Sequence, residues 1–126
     1  MELSEVRRMA EAWVENRGKY CEAWDALTEL CLNQPEAALR VIEEIHHRAT
    51  NQEPIDYPLM GALAAGPLED LLAHNGEKVI EQIQSMAHTD PEFRKCLTGV
   101  WQNAMSHELF AKVQRAADPN FKLKNS

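Results

Sequence analysis

Among its 126 residues the sequence has no apolar run approaching the ~20 that a membrane-spanning helix requires, so a transmembrane segment is not expected. A secretory leader is not expected either: Met1-Glu2-Leu3-Ser4-Glu5 places acids where such a leader has a basic start and an apolar block. The expected location is the cytoplasm. Basic residues are in short supply, with 13 Lys and Arg against 20 Asp and Glu, a net charge of −7 and no basic stripe. Nucleic-acid affinity comes largely from neutralising phosphates, so a nucleic-acid partner is not expected. Cysteine is scarce too. Cys21, Cys31 and Cys96 are odd in number and contain no Cys-x-x-Cys pair. On one unbroken helix Cys21 and Cys31 stand about three turns apart, too far to bridge, so buried reduced thiols are expected. There is no Gly-x-Ser-x-Gly elbow, no phosphate-cradling Gly-rich loop and no cysteine in a recognisable catalytic setting. Strand-type alternation bounded by turn residues is missing throughout, and no sheet is predicted.

What the sequence does have is helical periodicity. The apolar fraction of 44% is average for a soluble domain, and the length fits one domain with its own core. We expect a single helical domain over residues 1–119 and a frayed tail over 120–126. Val6, Met9, Ala10, Trp13 and Val14 share one helix face, and Gly18 stops that helix. Tyr20, Trp24, Leu27 and Cys31 mark a second helix, ending near Asn33. Pro35 opens a third, with Ala38, Ile42, Ile45 and Ala49 inward. The longest loop falls at 50–57. A short helix over 58–65 is broken at Gly66-Pro67, and another over 67–74 is closed by Asn75-Gly76. Val79, Ile80, Ile83, Met86 and Ala87 mark the next. Asp90 caps a helix opened by Pro91, whose stripe runs Phe93, Cys96, Leu97, Val100, Trp101, Ala104. Ser106 caps the last, and Asp118-Pro119 ends it. The predicted class is all-α: about seven short helices in an orthogonal bundle or a small HEAT-like α–α superhelix.

Three groups of polar residues are candidates for function. Glu43 and His46, and likewise Glu44 and His47, stand one helical turn apart, the spacing of carboxylate-bridged metal sites. Both pairs lie on one helix, pointing about 100° apart, and no second Glu-x-x-His faces them, so neither metal nor cofactor is expected. Glu22, Asp25 and Glu29 form an acidic row on the second helix, which Glu15, Glu36, Glu43 and Glu44 extend if the first three helices pack together. Of the 20 acids, 12 lie in residues 1–60 against 6 Lys or Arg, a net −6 for that half. Such a row is either an ordinary solvated face or a steering surface for a basic protein.

The third group comes with a resemblance. The stretch Leu63-Ala64-Ala65-Gly66-Pro67-Leu68-Glu69-Asp70-Leu71-Leu72, followed by Gly76, and the later Val100-Trp101-Gln102-Asn103 resemble the signature of a small bacterial all-helical family of unknown function. The resemblance covers about residues 56–116 and implies the fold but no activity. Small acidic helical proteins of this kind also resemble toxin immunity proteins as a class. Physically, Glu69 can meet the free N–H groups of its own first turn, while Gln102 and Asn103 can bond the Gly66-Pro67 break. The alternative is a polar binding pocket of Glu69, Asp70, Gln102 and Asn103. The sequence thus predicts a non-catalytic protein-binding domain: an immunity- or antitoxin-like inhibitor of a basic toxin, possibly a nuclease. A HEAT-like scaffold or adaptor is the alternative, and a metal-dependent or hydrolytic enzyme using Glu43, His46 and His47 is third.

Overall fold

Local signals set most helix ends in the computed structural model, which describes residues 1–17, Lys19 and residues 21–120. Helix α1 (Leu3–Glu15) buries Val6, Ala10 and Trp13. It stops where the Asn16 side chain donates to the Ala12 carbonyl at 2.8 Å and Arg17 turns left-handed at φ 52°. Gly18, the predicted stop, lies outside the described residues, as do Tyr20 and residues 121–126 of the predicted tail. Helix α2 (Glu22–Asn33) buries Leu27 and Cys31. Its half-buried Trp24 stacks on Trp13, ring centroids 5.9 Å apart and planes 14° from parallel. Helix α3 (Pro35–Thr50) begins at its proline and buries Ala38, Ile42, Ile45 and Ala49 completely, as the spacing predicts.

Asp56 connects two ends of the N-terminal half. It accepts from the Leu59 N–H at 3.1 Å, capping α4 (Tyr57–Leu63). Its two oxygens also receive the Arg17 guanidinium at 2.7 and 2.9 Å. That guanidinium holds the Asp56 carboxyl below its ordinary range, and the cap bond acts the same way against the effect of burial.

Of the two breaks predicted between 58 and 87, the first is not a break and the second is a kink. Ala64–Leu68 forms a π-helical turn that carries α4 into α5 (Glu69–Thr89). Pro67 lacks an N–H and crowds the preceding turn, and the wider winding of a π turn absorbs both defects. Gly66 is there for packing: a Cβ at this position would sit 2.8 Å from the Trp24 ring. Asn75-Gly76 does interrupt α5, as predicted: Asn75 leaves helical geometry (φ −139°, ψ 25°), and two helical stretches meet there across a kink. The Asn75 amide donates to the Cys31 and Leu32 carbonyls at 2.7 and 3.0 Å, closing the end of α2. A Cβ at Gly76 would overlap the Leu109 side chain, so glycine lets the last helix seat here.

Asp90 caps α6 (Pro91–Leu97) by accepting from the Glu92 and Phe93 N–H groups at 3.0 and 3.2 Å. Phe93, Cys96 and Leu97 are buried as predicted, but the rest of that stripe is not helical. The helix stops at Leu97, Val100 is buried from a loop, and Trp101 and Ala104 are exposed. The Thr98 hydroxyl, bonded to the Lys95 carbonyl at 2.5 Å, and the close approach of Gly99 to Ala64 mark the turn. Ser106 caps α7 (His107–Ala117) through the Leu109 N–H at 3.1 Å.

Helix α1 packs on α3, α2 on α3 and α5, and α7 on α5 and α6. All seven α-helices contribute to one apolar cluster, with Trp13, Leu27, Ile42, Leu63, Ile83 and Phe93 fully buried. Among the described residues there is no strand, and no helix is long and apolar enough to cross a membrane. All three thiols are free; Cys31 and Cys96 are buried, and Cys21 is half-buried.

Candidate functional site

The Glu43–His47 segment lines an open cleft of about 530 Å³, shared with Arg40, Thr50, Thr89 and Asp90. His46 is buried, its Nε2 lies 3.2 Å from Asp90 Oδ2, and its ring meets the Phe93 ring edge-on at 5.2 Å. Its Nδ1 has no hydrogen-bond partner among the described residues. An acid–histidine pair therefore exists here, held between α3 and the start of α6. The cleft's hydroxyls are engaged elsewhere: Thr50 donates to the His46 and His47 carbonyls, and Thr89 to those of Ser85 and Met86. Glu44 pairs with Arg48 at 3.2 Å, one turn along the same helix. Among the described residues no three His, Cys, Asp or Glu side chains are arranged to hold a metal ion.

The acidic residues fall into two groups. Glu22, Asp25 and Glu29 are exposed along α2, and Glu15 is exposed at the end of α1. On α3, Glu36 and Glu43 flank Arg40 in a separate cleft against Gln82, Ser85 and Met86 of α5, so a cation interrupts that side. No Lys or Arg occurs between Lys19 and Arg40, which leaves the α2 row uniformly acidic in sequence.

The two signature stretches meet through one side chain. Glu69, buried at the start of α5, accepts the Trp101 N–H at 3.3 Å through Oε2 and the Asn103 side-chain amide through Oε1. The contact differs from the bonds expected of Glu69 and of Asn103, though it brings together two members of the alternative pocket. Glu69 does not serve its own first turn, and Asn103 bonds its carboxylate, not a broken backbone at Gly66-Pro67. A buried carboxylate requires donors, and residues 101–103 supply them. The loop pays a conformational cost in return: Asn103 adopts φ 46°, a region that asparagine tolerates better than most residues. Gln102 turns away, donating to the Met105 carbonyl at 3.1 Å and standing 3.0 Å from His107 Nδ1. Asp70 is half-buried; its carboxyl is shifted upward by burial, then lowered somewhat by His74 and raised by Glu69. Its charge also reaches Cys31, whose thiol burial chiefly pushes up to about 12. The structure therefore joins Glu69 with Asn103, directs Gln102 to Met105 and His107, and leaves Asp70 outside that contact.

The outcome is a pinned loop with an exposed indole. Val100 and Met105 are buried on either side, Glu69 holds the middle, and Trp101 is left 75% exposed. Beside it lies a groove of about 310 Å³ walled by Trp101, Val100, Phe110 and Val113. Sequence periodicity missed this, because Trp101 continues the α6 stripe in register. The available signal was Gly99, a poor helix residue directly before it.

A family model matches residues 14–121 and is described as a family of unknown function (DUF6869). It reaches well into the N-terminal half, beyond the stretch whose motifs are recognisable by eye. No curated protein and no solved structure matches the chain.

Proposed function

Since the chain belongs to this family of unknown function, we propose, from its surface, that it works by binding a basic protein and not by catalysis. The observation that carries this reading is Trp101, a large apolar side chain held in solvent by a loop fixed at three points. Exposed tryptophan on a preorganised backbone is the residue type that dominates protein interfaces, because little ordering is left to lose on binding. The net charge of −7 and the acidic α2 row favour a cationic partner. A protein that handles nucleic acid has such a cationic face. An immunity-type inhibitor that covers the active face of a basic toxin, a nuclease included, fits both features.

Affinity capture on the immobilised full chain tests this reading. A retained protein of pI above about 9, released as salt is raised through about 0.5 M and inhibited in its own activity by the free chain, is the expected result. Retention of no basic protein even at low ionic strength overturns it.

A further inference from the structure

We infer that the groove beside Trp101 receives an arginine side chain of the protein partner; this rests on the protein-binding reading above and specifies how the contact is made. The groove's floor is apolar, from Val100, Phe110 and Val113, and suits a methylene stem. The Trp101 indole forms one wall, and a guanidinium stacks on such a face more readily than an ammonium does. The C-terminal end of α7 also lines the groove, through Ala117 and Asp118. Helix carbonyls there present the negative end of the dipole. Asp118 is the one charged side chain among the groove's described lining residues, and the Asn120 N–H fixes its Oδ1 at 3.0 Å.

Charge decides among the other occupants. An anionic group would meet both a carboxylate and a negative helix end. A purely apolar segment would cover Asp118 without offering it a donor. A second copy docked through the same patch by two-fold symmetry would bring Asp118 toward its own image. An arginine satisfies the indole, the carboxylate and the apolar floor together.

The test uses the full chain and two capped tripeptides, Leu-Arg-Leu and its citrulline counterpart, which keeps the shape but not the charge. The readout is the Trp101 indole N–H resonance, assigned with Trp101→Phe. The arginine peptide is expected to shift this resonance and to bind at least about fivefold more tightly than the citrulline peptide. That ratio should shrink at about 0.5 M salt and approach one in Asp118→Asn. Both side chains are exposed, so an unchanged unfolding temperature verifies that each variant is folded. Equal binding of the two peptides overturns the inference, as does a Trp101 resonance that neither moves. So does a dimer, seen by sedimentation, that disappears in Trp101→Ala. If the groove ignores arginine while the chain still retains a basic protein in a salt-sensitive way, only this inference falls. If no basic protein is retained, the function proposed above falls with it.

Discussion

Trp13 and Trp101 show how differently one residue type is used at the two ends of this molecule. Trp13 is fully buried, stacked on Trp24, which in turn rests on Gly66; its large apolar area stabilises the junction of α1, α2 and the π turn. Trp101 has comparable area and leaves three-quarters of it in water, although its backbone N–H is bonded to a buried glutamate. In the first region the side chain is the structural element. In the second the backbone is, and the side chain is left in solvent.

Replacing the buried tryptophan should break this contrast most severely. Trp13→Ala is expected to cost about 3–5 kcal/mol of stability, read from chemical unfolding, with binding unchanged in whatever fraction stays folded. The same packed interior should show in thiol chemistry. Burial, with Asp70 near one and Asp90 near the other, pushes both Cys31 and Cys96 up to about 12. Iodoacetamide near pH 8 should therefore leave these two unmodified in the native protein, and mass spectrometry should find all three alkylated after unfolding. Rapid native labelling of Cys31 would show that the α2–α5 junction opens readily.

Glu69→Ala tests the link between loop and core. Removing the acceptor of the Trp101 N–H and the Asn103 amide should cost about 1–3 kcal/mol. The protein should melt several degrees lower, and partner binding should weaken as the loop loses its anchor. A lower melting temperature with unaltered binding would make Glu69 a purely structural residue. Asp56→Asn should have a smaller effect, about 0.2–1 kcal/mol, because the asparagine still caps α4 and Arg17 is half-exposed. Its pH dependence has a definite sign. The Asp56 carboxyl is held below its ordinary value, so its contribution is complete above about pH 4, the unfolded value, and disappears as pH falls through the lower folded value. Melting temperatures of wild type and variant should converge in that acid range. Trp101→Ala should change stability least, by about 0.5 kcal/mol or less, while reducing partner capture more than any other single change.

Most helix starts were legible because their causes are local. Pro35, Asp90-Pro91 and Ser106 act within one turn of themselves, and each stands where the sequence predicts it. Asn75-Gly76 was legible as an interruption, since α5 kinks there, but its contacts with Leu109 and the end of α2 were not; Gly66-Pro67 misled, because its glycine makes room for Trp24 and the helix runs on through a π turn. The candidate site was half legible. The two motifs stood out in the sequence, but the pairing of Glu69 with Trp101 and Asn103 spans more than thirty positions and has no periodic signature.

By itself, then, the sequence determined the helical class, the inward stripes of α1 to α3, the reduced cysteines and the acidic balance, since each follows from composition or from contacts within a few residues. Only the tertiary structure decided which helices run on through glycine and proline, where the α6 stripe ends, and that Trp101 faces solvent. Those outcomes depend on long-range packing and on one buried carboxylate needing donors, and neither leaves a trace in local spacing.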